Sequence, residues 1–221
     1  MKLSLRFTVL LLSYSLFMPA KTILLDEESE MTRQALSKPK PKIEMIKLPL
    51  GLSMGKYEVT QGQWQAVMGS NPSKFTSFGE NRPVEQVSFD DVQRFIERLN
   101  SLSGKHYRLP TEVEWYKACQ AGGSYTEYCG SGNIDDVAWY KNNSNQTTHE
   151  VGQKNPNAFN LYDMSGNVWE WTSSCLRDEC SRLVGRGGSW ANSPTTVRMG
   201  GLFWYYTTKS ETLGFRLALD D

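Results

Sequence analysis

The chain has 221 residues, with 24 Lys+Arg against 24 Asp+Glu and a pI near 6.7, which excludes a nucleic-acid binder that works through bulk positive charge. Hydrophobic residues make up 39% of the chain and aromatics 12%, seven of them Trp, a composition that packs into a globule rather than staying disordered. With two His in all, a three-histidine metal centre is excluded.

The first element in chain order is an export signal. Lys2 and Arg6 make a basic start, Phe7 to Phe17 is a mostly apolar run, and a polar stretch follows Ala20. Basic start, short apolar core and small residue are the order of a secretory signal peptide, and the run is shorter than the roughly 20 residues a bilayer-spanning helix needs. Residues 1–20 are therefore expected to be removed, with no transmembrane segment left behind. Losing Lys2 and Arg6 leaves the remainder two acids in excess. From Lys21 to Lys42 the composition turns polar and ends in Lys38-Pro-Lys-Pro-Lys42. Alternating Pro favours an extended tether, so residues 21–42 read as a linker and 43–221 as one domain.

Three helices are predicted by one device. Thr60 with Gln63, Ser88 with Asp91, and Thr111 with Glu114 each place a hydroxyl three residues before an acceptor, the spacing of a capping box. Apolar faces follow: Trp64, Val67 and Met68; Val92, Phe95, Ile96 and Leu99; Trp115, Ala118 and Cys119. Gly104 and Gly122 mark expected ends. Beyond Gly122 the helical period stops. Val137–Tyr140, Val168–Thr172, Leu183–Val184, Phe203–Thr207 and Phe215–Leu219 read as short strands between long loops. In Phe203-Trp-Tyr-Tyr, alternation puts Phe203 and Tyr205 on one face and Trp204 and Tyr206 on the other. One face suits core packing; the other, with Trp204 and Tyr206, is a candidate stacking surface.

Four cysteines in an exported chain favour disulfides and allow three pairings. The local closures Cys119–Cys129 and Cys175–Cys180 are favoured. His106 and His149 lack metal-type spacing and read as ordinary loop residues. No phosphate loop, dinucleotide fingerprint or Gly-x-Ser-x-Gly is present.

Six segments carry a resemblance. They are Met54-Gly-Lys-Tyr-Glu-Val-Thr, Pro83-Val-Glu-Gln-Val-Ser-Phe, Arg108-Leu-Pro-Thr-Glu-Val-Glu-Trp, Asn160-Leu-Tyr-Asp-Met-Ser-Gly-Asn-Val-Trp-Glu-Trp, Arg186-Gly-Gly-Ser-Trp and Leu213-Gly-Phe-Arg. In this order they resemble the formylglycine-generating enzyme, or sulfatase-modifying factor, family over roughly residues 44–219. The resemblance implies an α+β, C-type-lectin-like single domain, loop-rich with short strands and about three helices.

Active oxidases of that family hold Cu(I) on two cysteines, the first three residues after the Ser of Gly-Gly-Ser. Here those positions fall on Asn192 and Val197. Soft thiolates select Cu(I), so copper is not expected. Cys175 and Cys180 share the five-residue spacing but precede Arg186-Gly-Gly-Ser. The resemblance further places Trp169 and Ser189 on the wall of a substrate cleft, with Asn192 beside them. Thr212 stands where the oxidases usually carry Asn. It also implies a structural Ca2+ held by Asp163, Glu170 and carbonyls near Gly166 and Val168, an oxygen-only set of the kind Ca2+ takes. On residue type alone Glu170 reads as an ion-pair partner.

These readings converge on an exported, periplasmic or secreted, ligand- or partner-binding module without copper oxidation. Its surface would be the loops of residues 190–212, and its partner a small molecule, a protein or an envelope complex. The alternative is an exported maturation enzyme of the same family, for formylglycine or a siderophore chromophore. Non-thiol chemistry would then rest on Asp163, Glu170, Glu211 and the Trp/Tyr cluster.

Overall fold

A computed structural model describes residues 41–220 apart from 124, 177, 178 and 207, with backbone alone at 176, 179, 180 and 204–206. The expected signal segment and nearly all of the linker lie outside the described residues. Among those described, no helix is long and apolar enough to cross a membrane.

The domain opens with a hairpin, β1 (Met45–Leu48) and β2 (Leu52–Gly55), paired antiparallel with Leu48 opposite Leu52. Three helices follow, α1 (Gln61–Met68), α2 (Phe89–Ser103) and α3 (Glu112–Gln120), and each starts at its expected cap. Thr60, Ser88 and Thr111 accept the N3 amide, while Gln63, Asp91 and Glu114 reach back to the cap N–H, so otherwise orphaned helix donors are satisfied. α2 stops at Gly104 as expected; α3 stops one residue before Gly122, with Ala121 itself in the left-handed region at φ 51°. The apolar stripe of α2 packs in one cluster with Trp64, Trp171 and Phe215, and the Trp64 and Phe95 rings stack at 5.1 Å.

The first sheet has the order β1-β2-β10-β3, in which β10 (Ala218–Asp220) lies between β2 and β3 (Tyr107–Arg108). A single turn, α4 (Ile134–Val137), leads into β4 (Ala138–Trp139), which runs parallel to β5 (Ser165–Gly166). The third sheet has the order β8-β7-β6-β9, from β6 (Trp169–Leu176), β7 (Glu179–Arg186), β8 (Leu202–Tyr206) and β9 (Leu213–Gly214).

Two expected strands are corrected. In Val137–Tyr140, Val137 closes the turn α4, Ala138–Trp139 is strand and Tyr140 lies beyond it. Of Phe215–Leu219 only Ala218 and Leu219 are strand, in β10; Phe215–Leu217 bridges β9 and β10, where Arg216 is fully buried and the carbonyls of Phe215 and Leu217 accept from Val59 and Gly55. Cys119 and Cys129 form a disulfide inside a second apolar cluster with Met54, Trp115 and Leu161. The pairing expected for Cys175 involves Cys180, whose side chain lies outside the described set.

Candidate functional site

The domain encloses a charged core. Glu58, Asp163, Glu170 and Arg216 are each buried, three carboxylates against one guanidinium. Arg216 Nε donates to both Glu170 oxygens at 3.0 and 2.8 Å, and its Nη2 donates to Glu170 Oε1 at 2.7 Å. Trp115 Nε1 donates to Glu170 Oε2 at 2.5 Å. Glu58 accepts from Val168 N at 3.1 Å and from Asn167 Nδ2 at 2.6 Å. Asp163 accepts from Gly152 N at 2.7 Å through Oδ2, while its Oδ1 meets no donor among the described residues. Burial, reinforced by the neighbouring carboxylates, pushes Glu58 well above the usual carboxylate range. Burial likewise raises Asp163, to about 6.

This arrangement bears on the calcium expectation. Both Glu170 oxygens are spent on Arg216 and Trp115, and a guanidinium in contact with the carboxylate opposes a cation there. Of the expected set Asp163, Gly166, Val168 and Glu170, Glu170 is here an ion-pair partner of Arg216 rather than an open oxygen ligand. Among the described residues, no group of three His, Cys, Asp or Glu side chains is placed to hold a metal.

The loop after β7 carries the positions where family oxidases hold thiolates. Asn192 Oδ1 accepts from Ser189 N at 2.9 Å and from Ser189 Oγ at 2.7 Å, closing a tight turn. Val197 has no exposure and packs with Tyr128, Val137, Ala138 and Tyr140. Gly188 (φ +79°) lies so close that a Cβ would stand 2.5 Å from Val197 Cγ1. An engaged amide and a buried hydrocarbon occupy the two positions, a donor set that does not fit Cu(I).

The other designated residues fall into two neighbouring sets. Ser189 and Asn192 form one. Trp169 and Thr212 form the second, through Trp169 N donating to Thr212 O at 2.8 Å, with the Trp169 ring 5.9 Å from Phe203. Trp190 joins the two, since its Nε1 donates to Glu211 O at 3.1 Å. The side chains of Trp204 and Tyr206 lie outside the described residues. His149 stacks on Trp139 at 3.7 Å and His106 is exposed, so neither stands among these groups.

Sequence reasoning missed two features. Glu85 is fully buried, with one oxygen accepting from Phe75 N at 3.0 Å and the other without a donor among the described residues; burial raises it to about 7. A pocket of about 360 Å³ opens over Trp190, lined by Lys141, Gln146 and Ala191. Trp190 stood in a quoted motif, but Lys141 and Gln146 sit in a polar loop with no pattern to single them out. A larger open groove of about 480 Å³, walled by Glu44, Tyr57, Glu80 and Glu150, holds none of the designated residues.

With this fold and these segments, the chain belongs to the sulfatase-modifying factor enzyme 1-like domain family, whose sequence profile matches residues 17–221. The chaperone protein LppX of Paenibacillus barcinonensis is 35% identical, over 66% of this chain and 71% of that protein. A formylglycine-generating enzyme of Thermomonospora curvata is 30% identical over 49% of this chain, and the match spans only 38% of that enzyme. The solved structure of Treponema denticola variable protein 1 superposes with a TM-score of 0.71 at 27% identity, covering 83% of this chain and 94% of the other.

Proposed function

We propose that this domain is a partner-binding module that works outside the cytoplasm, without copper-oxidase chemistry, and that its partner is a polypeptide not yet folded or assembled. The observation that carries the first part is the occupation of the two thiolate positions by Asn192, held by Ser189, and by the buried Val197. LppX, a chaperone by name, supports the second. The signal-like residues 1–20 and the Cys119–Cys129 bond favour an oxidising compartment. The enzyme alternative is less well served: Asp163 and Glu170 are sealed in the charged core, and Glu211 pairs with Lys74 at 2.5 Å.

Two measurements test this. Purified protein competing with a Cu(I) chelator is expected to take up no stoichiometric copper; uptake together with O2-dependent oxidation of a cysteine peptide would return the domain to the oxidases. Light scattering of denatured, reduced lysozyme diluted into buffer is expected to fall as the protein is added in stoichiometric amounts. Scattering indistinguishable from that with serum albumin would remove the chaperone-type reading.

A further inference from the structure

We infer that the pocket over Trp190 is a subsite for a carboxylate carried beside an aromatic or aliphatic side chain. Resting on the partner-binding reading above, its occupant is an acidic–apolar step of a bound polypeptide. The floor is rigid. Trp190 is 8% exposed, and its N donates to Asn167 O at 2.8 Å. Its O accepts from Ser144 Oγ at 2.9 Å, and its indole N–H is held by Glu211 O at 3.1 Å. The ring of Phe75 meets it edge-on at 5.5 Å. A ring tied at main chain and at side chain offers a flat apolar face with little left to order on binding.

The rim is the reverse, with main chain fixed and side chains uncommitted. Lys141 N donates to Asn192 O at 3.0 Å and Gln146 N to Ser144 Oγ at 3.3 Å. Asn145 and Gln146 are held at φ 54° and 60°, a left-handed pair of non-glycine residues that persists only where the surroundings enforce it. Yet among the described residues neither the Lys141 ammonium nor the Gln146 amide has a hydrogen-bond or ion-pair partner. Lys56, Lys74 and Lys209, by contrast, are paired with Glu44, Glu211 and Asp91. An apolar floor with a free ammonium and a free amide at its rim complements an apolar side chain, a carboxylate and a peptide group. The volume of about 360 Å³ accommodates such a step.

The ion pair would sit in water, so binding is expected to be weak and to fall with added salt. The probes are acetyl-Gly-Phe-Glu-Gly-amide and its Gln isostere, acetyl-Gly-Phe-Gln-Gly-amide. Each is titrated onto the full chain carrying 15N-labelled tryptophan, with the Trp190 indole N–H assigned by its loss in Trp190→Phe. The Glu peptide is expected to shift that resonance saturably. The Gln peptide, or the Lys141→Gln variant with the Glu peptide, is expected to bind about three- to fivefold more weakly, while Lys141→Arg retains binding. Equal affinity for the two peptides, indifference to Lys141→Gln, or no shift at Trp190 overturns the assignment. Charge-dependent peptide binding without protection of lysozyme keeps the subsite and removes the chaperone-type reading. Protection with charge-indifferent peptide binding does the opposite.

Discussion

Glu85 sits with no exposure, one oxygen served by Phe75 N, and burial holds its pKa at about 7. In an unfolded chain the same group titrates near 4.3. Between these values the native state keeps a proton that the unfolded state releases, so this contribution is present below about pH 4 and is lost as pH rises through 7. Asp163, raised to about 6, and Glu58 act in the same sense. Asp91 and Glu114 act in the opposite one. Despite partial burial, Asp91 is held low by Ser88, Lys209 and Arg94, and Glu114 by Arg108 and Thr111. The stability that these two add is lost as the medium becomes strongly acidic. The thermal midpoint is therefore expected to peak on the acid side of neutrality and to decline from pH 5 to pH 8. Glu85→Gln is expected to stabilise the protein by about 2 kcal/mol at pH 8 and to change little at pH 4.5. Calorimetric profiles of variant and parent that run parallel across this range would show that Glu85 does not titrate in the window.

Among the elements, the helix starts were legible because a capping box is local: a span of four residues holds both the hydroxyl and the acceptor that satisfy the first turn. The strands were legible only as segments. β6, β7 and β8 contain the expected Val168–Thr172, Leu183–Val184 and Phe203–Thr207 in large part, but nothing near Leu183 says that it faces Tyr205. The hairpin β1–β2 was not foreseen as strand at all, although its closure is local, Leu48 facing Leu52; what the sequence near it does not show is that β10 pairs with the other side of β2. The same limit applied to the site. Asn192 and Val197 were legible through the family resemblance, counted from Ser189, whereas Arg216 meeting Glu170 depends on two segments 46 residues apart. Lys141 meeting the loop of Asn192 depends on the third dimension alone. The turn after β7 gives a test at this scale. Gly188 has φ +79°, and a Cβ there would stand 2.5 Å from Val197 Cγ1 and 2.9 Å from its Cα. Gly188→Ala is expected to cost more than about 2 kcal/mol in urea unfolding, because the backbone of Val197 cannot retreat as a side-chain tip can. A cost below about 0.5 kcal/mol would mean that this turn is looser than described.

For the molecule as a whole, the Cys119–Cys129 bond ties the end of α3 to the loop before α4 within the second apolar cluster. Closing a span of ten residues restricts the unfolded chain by about 2–3 kcal/mol. Dithiothreitol and the pair Cys119→Ala with Cys129→Ala are each expected to lower unfolding stability by that amount. A urea midpoint unmoved by reductant would show the bond absent from the purified protein. The packing of the first sheet has a longer reach. Met54 pairs with Ala218, and Tyr107 with Leu219, so β10 holds both neighbours in register. During synthesis, whatever emerges first from the ribosome must wait for almost the entire domain before its hairpin finds a mate. High contact order of this kind slows folding. That delay leaves the nascent domain pliable until its last strand has been made.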